Sequence, residues 1–313
     1  MAYTTIDNPE LYFQTELWTG NDGSNARTLD GSEDMQPDFV WLASRTRADN
    51  KRLQDSVRGA GKMLPSNGNG GEESLSEFAS FDSDGFTINT TDAGYNSSSH
   101  TYCAWCWKAG GSASVNSNGS TNSSVSASTT AGFSVVSYTG AGATTYGHGL
   151  GATPNVIIIK KRTSDSGNNN WFVYHDKVIT AGGSNKSFLT LNETGATTAN
   201  GSATTFTSVS STTFGVGTDD IISESSHTFI AYCFAEKKGY SKFGTYTGNG
   251  NADGTFIYTG FKPAFIMVKS ATSVTEWHMS DTARRPENPN NSYLSASSSA
   301  AENTSNPTDF LSN

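Results

Sequence analysis

The chain has 313 residues, a formal charge of -9, 34% hydrophobic and 16% charged residues. An acidic balance excludes a nucleic-acid surface, which needs clustered Lys and Arg, and no apolar run approaches the roughly 18 residues needed to span a bilayer. Aromatic residues at 11% exclude a disordered chain, because such chains are poor in them. The abundant Gly, Ser, Thr and Asn fit many short strands joined by polar turns. No basic stretch precedes an apolar core at the N-terminus, so no secretory signal is expected. Three cysteines cannot form a disulfide framework, which points to synthesis in a reducing cytoplasm.

In chain order, one pattern comes round three times. FQTELWTGNDG begins at Phe13, FSVVSYTGAG at Phe133 and FGTYTGNGNADG at Phe243, each a short alternating run ending in aromatic-Thr-Gly. A proline and an apolar run follow: PDFVWLASR from Pro37, PNVIIIKKR from Pro154 and PAFIMVKS from Pro263. Then come LQDSVRG from Leu53, WFVYHDK from Trp171 and WHMSDTARR from Trp277, each with an acidic residue near a basic one. FASFDSDGFTI from Phe78 matches FTSVSSTTFGV from Phe206, and HTYCAWCW from His100 matches HTFIAYCF from His227. The starts lie 120 and 110 residues apart, close to a domain's length.

The reading is all-β: tandem β-sandwich units, lectin-like or jelly-roll-like, over 1–108, 133–238 and 239–313, the third incomplete. Residues 109–132, rich in Gly, Ser, Asn and Thr, read as a linker, flexible or loosely strand-like. About 30 residues of the repeat have no counterpart in the third unit. Either the sequence is a piece of a longer protein, the preferred reading, or a neighbour supplies the strand. HTFIAYCFA alternates with period two and is apolar on both faces, as a central strand should be. Only DNKRLQDSVRGAGKML, 49–64, shows a trace of helical spacing, interrupted by two glycines.

Cys103-Ala-Trp-Cys106 has the spacing of a redox or metal pair. Its repeat places Ile230 where Cys103 stands, and in a strand residues three apart point to opposite faces, so a shared metal or short disulfide is not expected. His100 and His227 share a repeat position and read as turn hydrogen-bonders; His148 sits in a glycine loop. Asp82 and Asp84 read as turn formers. Asp219 and Asp220 are the carboxylate pair that could serve a glycosidase or hold a cation. Asp55 with Arg58, Asp281 with Arg284, and the reduced pair Asp176 and Lys177 read as structural ion pairs. No GxSxG elbow is present. No catalytic residue, cofactor or metal ligand is assigned.

TYTGNGNADGTFIYTGFKPAFIMVK, GHGLGATPNVIIIKKR, TFIAYCFAEKKGYSKFGTYTG and the opening MAYTTIDNPELYFQTELWTGN carry a resemblance. They resemble virion structural and tail-fibre proteins of marine bacteriophages, including those of cyanobacteria, over the whole chain. The resemblance implies a non-enzymatic particle component assembled in the host cytoplasm, and a sequence that continues past DFLSN with a further GF strand. Its implied partners are other virion proteins, copies of itself with a trimer favoured, and a host-surface glycan. Candidate recognition residues are the aromatics of the aromatic-Thr-Gly shoulders, Trp18, Tyr138 and Tyr246. Each ring can stack on a sugar, but can equally be a core strand residue, the heavier of the two readings. Loops such as TSDSGNNN, 163–170, are the expected recognition surface. A capsid-decorating protein and a polysaccharide depolymerase are the alternatives.

Overall fold

The computed structural model describes residues 4–312, except 164, 166, 168, 180, 182–186, 200–204 and 306. Unit one runs through β1 (Phe13–Thr19), β2 (Gly23–Thr28), β3 (Phe39–Ser44), β4 (Arg52–Asp55), β5 (Lys62–Pro65), β6 (Glu73–Ser74), β7 (Phe78–Asp82), β8 (Gly85–Thr90) and β9 (Thr101–Trp107). Unit two has β10 (Ser114–Asn116), β11 (Ser123–Ser128), β12 (Phe133–Thr139), β13 (Thr144–Gly147), β14 (Val156–Lys161), β15 (Trp171–His175), β16 (Ser187–Thr190), β17 (Thr198–Ala199), β18 (Phe206–Val209), β19 (Thr213–Val216), a one-turn helix α1 (Asp220–Ser223) and β20 (Thr228–Phe234). Unit three contributes β21 (Phe265–Val268), β22 (His278–Asp281) and β23 (Leu294–Ser295). The chain is all-β, as its composition and period-two runs require.

In unit one the sheet β1-β9-β3-β4-β5-β6 packs on the small sheet β2-β8-β7, around Trp18, Val40, Phe78, Phe86, Ile88 and Tyr102. In unit two the sheet β10-β11-β12-β20-β14-β15-β16-β17 packs on β13-β19-β18, around Val136, Tyr138, Ile157, Phe214, Phe229 and Cys233. All described pairings between strands are antiparallel, and β9 and β20 lie centrally, each inserted between two neighbours. The segment 109–132 follows the strand-like of its two readings, not the flexible one: β10 and β11 extend the second sheet from β12. The trace of helix at 49–64 gives way to β4, a turn and β5, because Leu53 and Leu64 face the core on a strand pair. Propensity yields to packing there.

The opposite faces of the large sheets meet a common core that also takes Trp277, Met279 and Leu294 of unit three. The junctions repeat in the same register. Glu72 N–H donates to Arg162 O at 2.7 Å, Glu302 N–H to Arg45 O at 2.8 Å, and Thr197 N–H to Ala271 O at 2.9 Å. Each of these steps joins one unit to the next, so the three units close into a ring. Trp171 Nε1 likewise donates to Pro65 O at 2.8 Å and Trp277 Nε1 to Thr190 O at 2.9 Å, while at the matching place Lys51 Nζ donates to Ala300 O at 2.8 Å. The threefold pattern of the sequence is thus a pseudo-threefold ring within one chain.

Burial of both faces explains the cysteines. Cys103 lies in the common core and Cys106 in the sandwich core of unit one, on opposite sides of β9. All three thiols are buried and free.

Candidate functional site

The acidic-basic pairs mark ring junctions. Asp55 Oδ1 accepts the Arg58 N–H at 2.8 Å and its Oδ2 accepts Arg58 Nε at 2.5 Å. Tyr232 on β20 of unit two donates its hydroxyl to Asp55 Oδ2 at 2.8 Å. Unit three repeats this: Arg284 N–H and Nε bind Asp281 at 2.7 and 2.5 Å, and Trp105 on β9 of unit one donates Nε1 to Asp281 Oδ2 at 3.0 Å. Burial works against the Arg58 charge, but Asp55 and its neighbours outweigh it and hold the guanidinium above its ordinary value. In unit two the residue in register is His175 at the end of β15, and Asp176 pairs with Lys177 nearer solvent at 2.7 Å.

A second polar cluster lines a cavity of about 370 Å³ in unit two. The end of β14 supplies Lys161, the following loop Asp165, the C-terminal end of α1 Glu224, and the approach to β20 His227. Lys161 is buried and its Nζ donates to Asp165 Oδ2 at 2.7 Å and Glu224 Oε2 at 2.6 Å. His227 lies 3.5 Å from Asp165 and 3.6 Å from Glu224. One ligand atom from each of Asp165, Glu224 and His227 falls within 4.8 Å of the others, a donor set for a cation. The Lys161 ammonium already stands between the two carboxylates, however, and supplies the positive charge they need. A metal would have to displace it, so the residues fit an ion-pair network better than a metal centre.

The same geometry bears on hydrolysis. The Lys161 hydrogen bond and the Gly167 N–H hold Asp165 down to about 2. Burial opposes the Lys161 charge, but bonds to Asp165 and Glu224 prevail and raise its pKa. Asp165 is thereby held as an anion, whereas a glycosidase needs a carboxyl held protonated as general acid.

The other acids shape turns. Asp219 is the N-cap of α1, its Oδ1 accepting from Ile221 N–H at 3.3 Å, and Asp220 lines the cavity. Asp82 accepts from Ser80 and Thr87 hydroxyls at 2.6 and 2.7 Å, and Asp84 from the Met35 N–H at 3.0 Å. His100 Nδ1 meets Thr46 Oγ1 at 3.2 Å and His227 Nδ1 the carbonyl of Ser225 at 3.2 Å. His148 is buried, with Leu150 N–H donating to its Nδ1 at 3.2 Å; burial pushes its pKa down.

Of the three shoulder aromatics, two are not at the surface. Trp18 stacks on Tyr102 at 5.3 Å and Tyr138 on Phe229 at 5.1 Å, both within sandwich cores. The closing strand covers these rings, which corrects the recognition reading for Trp18 and Tyr138. Tyr246 is 50% exposed. Phe256, Ile257 and Tyr258 are exposed as well, on a stretch tied to the residue after Tyr246 by Thr255 Oγ1, which donates to Thr247 O at 2.8 Å. Of the loop 163–170, residues 164, 166 and 168 lie outside the described residues, while Asp165 joins the cluster above. Sequence reasoning missed that cluster; its one signal was the KKR cap of β14 preceding an acidic loop.

Repeated β-sandwich units around a shared core, with their ionic groups used at junctions and turns, define a tandem-repeat all-β protein. The chain belongs to the family of DUF7483, a domain of unknown function, whose model matches residues 8–313. Comparison with curated proteins finds no match, and neither does comparison with solved structures.

Proposed function

We propose that the protein is a non-enzymatic structural component of a bacteriophage particle, a tail fibre or appendage that contacts a host-surface glycan. It works alongside other virion proteins and in a homo-oligomer, of which a trimer is the form proposed. The observation that carries this reading is the closed pseudo-threefold ring. A chain with its own approximate threefold axis is suited to a symmetric attachment site, because particle components assemble in closed symmetric sets. The use of Asp55, Asp281, Glu72 and Glu302 in inter-unit bonds supports a scaffold role over hydrolysis.

The test is electron cryo-microscopy of purified particles of the phage that encodes the chain. The expected result is density in a small symmetric set at the tail. Absence of the chain from the particle overturns the reading. Density spread over the capsid lattice replaces the fibre with a decorating protein. Cleavage of host polysaccharide that is lost on substitution of Asp220 would revive a depolymerase.

A further inference from the structure

The geometry points to the cavity of unit two as a binding site for an uncharged, hydroxyl-rich saccharide. The inference rests on the reading of the chain as a glycan-contacting appendage, and it names the place of contact and the class of sugar.

Comparison of the three units shows what unit two adds. The ladders fix the equivalent positions: Leu42 opposes Arg52, Ile159 opposes Phe172 and Val268 opposes His278. Two residues beyond Leu42, Ile159 and Val268 stand Ser44, Lys161 and Ser270. Serine serves the scaffold in units one and three, so the fold does not require the lysine of unit two. The loop that follows is longer there as well, spanning 162–171 against 45–51 and 271–277. It carries Asp165 and Gly167, which wall the cavity. Glu224 is a third departure. It precedes His227 as Ser97 precedes His100, and a Cβ on Gly140 or Gly20 would meet the carbonyl of Glu224 or Ser97 in the same way. Only the histidine is common to the two units.

Stability does not account for these additions. The Lys161 side chain is 2% exposed, and taking an ammonium out of water offsets most of what its ion pairs contribute. An added loop with charged groups at one of three equivalent places is the pattern of a binding site on a rigid scaffold. The loop is also held in shape. Asn169 is buried, and its Nδ2 donates to Asp165 O at 2.8 Å and Gly167 O at 3.1 Å. The wall is thus formed before a ligand arrives, which lowers the entropy lost on binding.

The remaining hydrogen-bonding capacity says what class fits. The cavity, about 370 Å³, lies in the range of small-molecule sites, about 300–1,000 Å³. Lys161 has three donors, of which Asp165 and Glu224 take two. Glu224 Oε1 stands 3.6 Å from His227 Nδ1, too far for a hydrogen bond, and Asp220 is exposed on the rim. A sugar hydroxyl both donates and accepts, so one ring serves the open carboxyl oxygens and the third Lys161 N–H together. Ile221 gives the same cavity an apolar contact for the C–H face of the ring. Three acidic residues face one lysine, so a uronate or sialate brings a charge of the prevailing sign and is rejected.

The probes are the methyl glycosides of glucose, galactose, mannose and N-acetylglucosamine, with glucuronate as the charged control. Each is titrated into the full chain at millimolar concentration and followed by saturation-transfer difference NMR. The expected result is transfer to the ring protons of at least one neutral glycoside and none to glucuronate. Asp220→Ala and Glu224→Gln are each expected to weaken binding about tenfold, or about 1.4 kcal/mol. Asp220 takes part in no ion pair among the described residues, so Asp220→Ala should leave the urea midpoint unchanged and separates lost binding from lost folding. No transfer to any neutral glycoside overturns the proposal, as does glucuronate binding as tight as that of the neutral sugars. Sugar binding that both substitutions leave unchanged overturns it too, while leaving the host-glycan reading standing. That reading falls instead on absence of the chain from the particle, a result the titration does not touch.

Discussion

Arg58→Met tests the ring at its most buried ionic contact. Arg58 and Asp55 are both inaccessible to solvent, and the guanidinium also donates to Leu53 O at 2.9 Å and the Tyr232 hydroxyl at 3.2 Å. Methionine keeps the volume but leaves Asp55 without its countercharge, with Tyr232 as its remaining side-chain donor. Removing one partner of a buried pair costs about 3–5 kcal/mol. Against a total of about 5–15 kcal/mol this is a large share. Replacing both partners, Asp55→Ala with Arg58→Met, leaves no uncompensated charge and recovers most of the loss. Urea unfolding of the parent, the two single variants and the double variant gives the coupling energy, expected to exceed about 2 kcal/mol for groups in direct contact. A cost below about 1 kcal/mol for Arg58→Met, within the range of an exposed pair, would refute the claim that the junction is dry and ionic. So would a coupling energy near zero.

Other outcomes follow from the same structure. Burial and the neighbouring Lys161 charge depress Lys160 to about 7. The unfolded chain therefore holds this proton more tightly, so stability rises as pH climbs from about 7 towards the ordinary lysine value near 10.4. Lys160→Met should flatten that rise in urea midpoints. Burial pushes the Glu72 pKa up, but Arg162 and Arg58 outweigh it and hold the carboxyl below its ordinary value. Its stabilisation is full above the unfolded value of about 4.3 and is lost as pH falls through the depressed one; Glu72→Gln should lessen the acid sensitivity of thermal unfolding. Trp18→Ala and Tyr138→Ala should each cost about 3–5 kcal/mol as core truncations, whereas Tyr246→Ala should cost little in the isolated protein. Burial raises the Cys103 and Cys233 thiols to about 12 and lifts Cys106 well above its usual value, so maleimide labelling should await global unfolding.

Fold class and the threefold pattern were legible because strands impose a period of two and repeats impose a register. The two faces of HTFIAYCFA are the two cores: Phe229, Ala231 and Cys233 enter the unit-two sandwich, and Ile230 and Tyr232 enter the common core. Pairing partners were not legible, because a ladder bond depends on residues far apart in sequence. For that reason 109–132, polar enough to pass for a linker, turned out to be a hairpin on the edge of the second sheet. Ring closure was hidden for a related reason. Asp55 and Arg58 look like a local pair in sequence, and only the Tyr232 hydroxyl reveals them as a junction. The aromatic shoulders were ambiguous because a ring beside a turn has the same sequence signature whether or not a strand covers it. The Asp165–Glu224–His227 cluster joins the loop after β14 to Glu224 and His227, which lie three residues apart far along the chain, so the pair alone did not show its third member.

The three junctions do not hold equally. Between units one and two Arg162 clasps Glu72 with two bonds of 2.8 Å, and between units three and one Arg45 clasps Glu302 at 2.9 and 3.2 Å. Among the described residues the corresponding contact between units two and three has no such pair: Thr197 donates its N–H and hydroxyl to Ala271 O at 2.9 and 2.8 Å, and Lys269 Nζ reaches Thr194 O at 3.1 Å. His175 there takes the place that Asp55 and Asp281 hold elsewhere. Bonds to charged groups contribute about 1.5–3 kcal/mol and neutral ones about 1 kcal/mol, so this third junction is the place where the ring opens first.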